Sequence, residues 1–104
     1  MPRQTIRLST RAGDTEIESY VSPDFPGIAV HRNPRFRKSW NTTHIESGLG
    51  ISGDFRLKRL ASEFAAEAGR IVDFTKTADA VKTDIVDKQT RATLRALTEK
   101  FRAK

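Results

Sequence analysis

The spacing of apolar residues changes once along this 104-residue chain, near Ser52, and that change limits the fold most. Before Ser52, apolar and polar residues alternate in short runs, which is the two-residue period of half-buried strands. After it, apolar residues recur every three or four positions, as in amphipathic helices. The pattern predicts an α+β fold, in which an antiparallel sheet of four or five short strands is covered by about two helices.

The predicted sheet occupies residues 4–51. Residues 4–10 and 15–21 alternate and form a first hairpin around the turn Ala12-Gly13-Asp14, in which Arg7 and Arg11 are expected to face Glu16 or Glu18. A proline-containing loop at 22–27 follows. The remaining strands are a second hairpin, 28–32 and 36–45 joined at Asn33-Pro34, and a short run at Leu49-Gly50-Ile51.

Two long helices are predicted, over residues 54–72 and 84–102. Asp54 suits the N-cap of the first helix and Thr83-Asp84 that of the second, while residues 73–82 fit a loop or a short helical turn. The second helix has a sparse apolar face, so it packs on the sheet edge, projects into solvent or pairs with another subunit, and a homodimer stays open. The apolar stripe of the first helix is Leu57, Leu60, Ala61, Phe64, Ala65, Ala68, Ile71 and Val72.

Composition limits the class of protein further. A chain of 104 residues has room for one domain, and its lack of cysteine fits a reducing cytoplasm and excludes disulfides and thiolate chemistry. We expect neither a signal peptide nor a membrane span, and hence a cytoplasmic protein. The net charge of +6 favours nucleic acid or an acidic protein surface as partner, although the same charge also serves solubility.

The densest basic segment runs from His31 to Trp40. It places four Lys or Arg residues and two aromatic residues around a predicted turn, where cations would contact phosphates and an aromatic ring would stack on a base. The alternative is a solvated turn that protects an edge strand while Trp40 packs in the core. The candidate nucleic-acid-binding residues are Arg32, Arg35, Phe36, Arg37, Lys38 and Trp40.

The segment from Thr42 to Gly48 contains a histidine, a carboxylate and hydroxyls within a few residues. Acid and base catalysis needs a third, orienting group, and on an extended strand His44 and Ser47 would point to opposite faces. We therefore expect His44 to bond neighbouring backbone or threonine, and we predict no catalytic residue.

No cofactor or metal is predicted. His31 and His44 are thirteen positions apart, with no carboxylate at a ligand spacing near either. Gly48, Gly50 and Gly53 match the dinucleotide pattern G-x-G-x-x-G just before the first predicted helix, but no parallel strand follows that helix. A glycine-rich turn is the simpler interpretation.

Residues 40–51, Trp-Asn-Thr-Thr-His-Ile-Glu-Ser-Gly-Leu-Gly-Ile, followed by an alanine-rich helix, resemble small uncharacterised proteins of actinobacterial phages and mobile elements. The resemblance covers residues 28–72 and implies a strand, a turn and a helix rather than an activity. A sheet followed by a helix is also similar to the arm-binding domains of phage integrases, at the level of the fold alone.

These observations give two functional hypotheses. The first is a non-enzymatic, nucleic-acid-binding accessory protein that uses the basic hairpin 31–40. The second is a protein-interaction module, such as a phage-type modulator of a host protein, that uses the same hairpin or the last helix.

Overall fold

Five strands of one antiparallel sheet succeed each other in chain order in the computed structural model, which describes residues 2–10 and 12–104. Three helices follow the sheet, so the predicted α+β class is confirmed. The strands are β1 (Arg3–Thr10), β2 (Gly13–Tyr20), β3 (Ile28–Arg32), β4 (Trp40–His44) and β5 (Gly50–Phe55). The helices are α1 (Lys58–Ile71), α2 (Ala78–Val86) and α3 (Lys88–Arg102).

The main core lies between the sheet and the helices. Helix α1 crosses β3, β4 and β5, α3 packs beside α1 and against β5, and α2 packs on α3. Leu60 and Phe64 of α1 are fully buried, and Phe64 contacts the rings of Phe55 and Phe101 at centroid distances of 5.0 and 6.5 Å. Strand β5 and helices α1 and α3 therefore share one apolar cluster.

A second, smaller cluster lies on the other side of the sheet. Ala29 lies between two residues of the main core, so its side chain points to the opposite face, where it packs with Ile6 and Leu8 of the first hairpin. The Ser9 N–H donates to the backbone oxygen of Gly48 at 2.8 Å. A side chain at Gly48, whose φ is 74°, would approach the Arg7 backbone oxygen to 2.8 Å, so a glycine is needed there.

The predicted charge pairs across the first hairpin are only partly correct. Arg7 stands opposite Glu16 in the register, but its guanidinium binds Asp14 at 2.9 Å. Glu18 is bound by Arg3 at 2.9 Å instead. Arg11 lies outside the described residues.

The predicted start of the first helix is wrong. Asp54 belongs to β5, with a φ of 64°, and its N–H donates to the Asn41 side chain at 3.1 Å. The strand continues to Phe55 because Phe55 pairs with Trp40 and is fully buried against α1. The helix begins only at Lys58, without a side-chain N-cap, and Leu57 of the predicted stripe is 41% exposed.

The single predicted helix over residues 84–102 is two helices. Thr83 and Asp84 lie inside α2, and the chain breaks at Asp87, whose carboxylate accepts from the Thr90 N–H at 3.0 Å. Asp87, not Asp84, is therefore the cap of α3. Within the described residues, no helix has the length and apolar character required to cross a membrane.

Candidate nucleic-acid interface

The segment that joins β3 to β4 is a loop folded by its own hydrogen bonds. The predicted strand 36–45 begins only at Trp40, because Asn33 turns the chain. Its side-chain oxygen accepts from the N–H groups of Arg35 and Phe36 at 2.8 and 3.1 Å, and its N–H donates to the Ser39 oxygen at 2.9 Å. This arrangement is an Asx turn, which holds the loop without using its charged side chains.

The structure divides the six predicted binding residues into two groups. Arg35, Phe36, Arg37 and Lys38 are exposed on the loop, which we call the basic loop (residues 33–39). Phe36 is 66% exposed, an unusual position for a large apolar ring.

Arg32 and Trp40 form the base of the basic loop and face each other in the β3–β4 register. The Arg32 guanidinium lies 4.7 Å from the Trp40 ring centroid and donates to the Arg37 backbone oxygen at 2.7 Å. Trp40 is half-buried, and Tyr20 lies 6.2 Å from it between centroids. Trp40 is thus both part of the packing and part of the surface.

Two distant segments bring further cations to this end of the molecule. Phe55 pairs with Trp40, so the connection from β5 to α1 starts beside the basic loop. In that connection, Arg56 donates to the Lys104 backbone oxygen at 2.6 Å, which ties in the end of α3. Lys58 lies 3.4 Å from the Tyr20 ring centroid.

We call this surface the basic end. Its three segments supply ten of the 19 Lys and Arg residues of the chain, and Arg3, paired with Glu18, lies beside Arg32 and Arg37. Of these ten, Arg59 and Arg102 form ion pairs, with Glu63 and Asp54, and the other eight enter no ion pair among residues 2–10 and 12–104. The ten residues are Arg32, Arg35, Arg37, Lys38, Arg56, Lys58, Arg59, Lys100, Arg102 and Lys104.

The opposite end of the sheet, where Ile28 pairs with His44, carries several carboxylates. Glu46 accepts from the Ala78 N–H at 3.2 Å at the start of α2, where Asp79 lies in the first turn. Asp73 lies on the connection between α1 and α2, together with Lys76. Lys and Arg residues are therefore more concentrated at the basic end than at this opposite end.

Sequence reasoning located the basic loop but missed the cations at residues 56–59 and 100–104. In the sequence, these residues are charged positions of the predicted helices, and such positions normally form a solvated helix face. Their convergence with the basic loop depends on the β4–β5 pairing and on the packing of α3, so no local pattern could reveal it.

His44 and Ser47 are brought together, contrary to the expectation for an extended strand, because residues 45–48 form a turn. The Ser47 hydroxyl donates to His44 Nδ1 at 2.8 Å, and His44 Nε2–H donates to the Phe74 backbone oxygen at 3.0 Å. Ser47 also accepts from the Leu49 N–H at 3.1 Å. The pair fixes the turn and anchors the α1–α2 connection, and its bonds provide no carboxylate to orient the imidazole.

His31 is held on the other side of the sheet. Its Nδ1–H donates to the Arg32 backbone oxygen at 2.8 Å, and the Thr43 hydroxyl donates to Nε2 at 2.7 Å. Burial lowers the pKa of His31, and the bond to the Arg32 oxygen opposes that effect only in part. Both ring nitrogens are occupied while the ring is neutral.

The glycine pattern does not form a phosphate loop. Gly50 and Gly53 belong to β5, and α1 begins five residues after Gly53, so the expected strand, glycine turn and helix are not contiguous. In the part of the chain that the structure describes, no three His, Asp or Glu side chains converge as metal ligands do.

Comparisons of the chain with protein-family models, with curated proteins and with solved structures give no match.

Proposed function

We propose that this chain is a small non-enzymatic accessory protein that binds nucleic acid through the basic end. One observation supports the proposal above the others: three segments far apart in sequence converge there, and eight of their cations enter no ion pair among the described residues. A polyanion of regular charge spacing is the partner that satisfies several such cations at once.

The cations of the basic loop are suited to phosphate contacts. Arg35 and Lys38 are exposed, and Arg37 uses its backbone oxygen, not its guanidinium, in the bond with Arg32. Because the Asx turn holds the backbone of the loop, phosphate binding orders only the side chains, which reduces its entropic cost.

The test measures the affinity of the purified chain for generic duplex and single-stranded DNA between about 20 and 200 mM salt. Each phosphate contact contributes roughly −0.9 to the slope of log affinity against log salt on duplex DNA, and roughly −0.7 on single strands. We expect the triple change Arg35→Gln, Arg37→Gln and Lys38→Gln to weaken binding to unrelated sequences and to make the slope shallower by up to about 2.7 on duplex.

A control of equal charge uses Lys82→Gln, Lys88→Gln and Arg91→Gln, which are exposed positions away from the basic end. This control should change the slope little. Absence of DNA and RNA binding by the parent at the lowest salt would contradict the proposal. Capture of an acidic host protein that depends on the basic loop would then favour the protein-interaction module.

A further inference from the structure

A cleft of about 380 Å³ opens beside the basic loop, between β2 and the start of β4. Tyr20 and Trp40 supply its aromatic wall. Its charged lining is three cations and two carboxylates: Arg3, Arg32, Arg37, Glu16 and Glu18. The volume lies at the small end of the range of roughly 300 to 1,000 Å³ that is typical of sites for small ligands. The cleft is large enough for one flat group and not for a helix.

The arrangement of charge in the cleft indicates what kind of group fits. Glu18 pairs with Arg3 at 2.9 Å, so these two residues add no net charge to the cleft, and Glu16 offsets one of the two other guanidinium groups. The cleft is therefore closer to neutral than the basic loop, and a phosphate is attracted more strongly to the loop. The exposed Arg32 guanidinium is held in place by Trp40 and by its bond to the Arg37 oxygen. Guanidinium groups and aromatic rings both stack on nucleobases, and a carboxylate accepts hydrogen bonds from exocyclic amino groups.

We propose that this cleft receives one unpaired base of a single-stranded nucleic acid, and that the protein accordingly binds single strands in preference to duplex. The base stacks on Arg32 and the aromatic wall, the neighbouring phosphates contact Arg37 and Lys38, and the exposed ring of Phe36 contacts an adjacent base. A duplex keeps its bases paired and stacked, so it offers phosphates to the loop but no base to the cleft. The inference depends on the proposed function and specifies its ligand.

Trp40 allows a direct measurement because it is the one tryptophan of the chain and lines the cleft. The probe is a 12-nucleotide single strand of mixed sequence, compared with a blunt duplex of the same length at the same salt. We expect the single strand to quench Trp40 fluorescence in a saturable manner and to bind at least about tenfold more tightly than the duplex. The duplex should bind without comparable quenching.

Two variants separate stacking from charge. Arg32→Lys retains the charge and removes the planar guanidinium, so affinity for the single strand should fall about fivefold or more, and by a larger factor than affinity for the duplex. Phe36→Ala should weaken single-strand binding by roughly 5- to 150-fold, the range for loss of one base-stacking ring. The matched controls are Arg91→Lys, an exposed arginine away from the basic end, and Val86→Ala, an equally exposed apolar residue at 67%. Both should behave as the parent.

The outcomes distinguish this inference from the proposed function. Equal affinity for single strand and duplex, equal quenching by both, or unchanged single-strand binding by Arg32→Lys would refute the base site and leave phosphate binding by the basic end intact. Failure of the parent to bind either probe would refute both.

Discussion

Burial changes the chemistry of individual side chains in ways that their sequence context does not show. His31 lies within the basic segment of the sequence, yet it is only 2% exposed and its two nitrogens bond Arg32 and Thr43. The neighbouring Arg32 points to the opposite face and stacks on Trp40. Alternation along a strand separates these two roles, and sequence alone could not say which face would be covered.

The lowered pKa of His31 predicts how stability depends on pH. Because folding favours the neutral ring, the unfolded chain binds more protons once the pH falls below the ordinary histidine value of about 6.5. Stability from this residue is therefore complete above that pH and is lost as the pH falls through the folded pKa. Hydrogen bonds from Thr75 and Thr90 lower the pKa of Asp73 and Asp87 respectively. The stability that these two carboxylates contribute is therefore present at neutral pH and is lost only when the pH falls below the ordinary aspartate value.

Urea unfolding of the parent and of His31→Asn between pH 7.5 and 5 measures this effect. The variant is expected to be less stable at neutral pH, because it loses the acceptor for Thr43, but its stability should vary less with pH. A parent whose stability is constant over this range, or a variant with the same slope, would contradict the account.

Among the elements, the strands were predicted more accurately than the helix ends. Alternation locates β1 and β2 closely, and a short apolar run locates β3, which packs against an apolar cluster on each of its faces. The helix ends were wrong at Asp54 and Asp84, where an aspartate followed by a periodic segment had the local signature of an N-cap. Tertiary pairing of Phe55 with Trp40 extends β5 past Asp54, and a second aspartate, Asp87, supplies the cap for α3.

The cap of α3 can be tested by a pair of matched substitutions. Asp87→Ala removes the bonds to the Thr90 N–H and hydroxyl and should lower the free energy of unfolding by about 1 kcal/mol. Asp84→Ala removes only a surface ion pair with Lys76 and should cost no more than about 0.5 kcal/mol. A larger loss for Asp84→Ala than for Asp87→Ala would place the helix boundary where the sequence pattern put it.

The buried face of α1 gives a second test at this scale. Leu60→Asp and Phe64→Asp should each unfold the protein, because an unpaired charge would enter a fully buried position at a cost of several kcal/mol. Leu57→Asp is the control, since Leu57 is 41% exposed and precedes the helix. Circular dichroism melts report the result, and a cooperative melt of Phe64→Asp near that of the parent would contradict the position of α1.

For the whole molecule, the class of fold follows from the sequence but the extent of the basic end does not. The change of period near Ser52 predicts a sheet followed by helices, and the charge density of residues 31–40 identifies the basic loop. The approach of Arg56 and Lys104 to that loop arises from strand pairing and helix packing across nearly fifty positions. Such contacts are set by the folded topology, so the sequence revealed one of the three basic segments.

We expect the basic end to bind DNA because its cations lie close together in the fold, and not because of the net charge of the chain. Residues outside the basic loop can test this claim. Lys100→Gln with Lys104→Gln removes two charges from this end, whereas Lys82→Gln with Lys88→Gln removes two charges elsewhere; all four side chains are exposed. We expect the first pair to weaken DNA binding and to make the salt slope shallower by up to about 1.8 on duplex, and the second pair to change both little. Equal effects of the two pairs would show that net charge alone drives binding, and would contradict a localised interface.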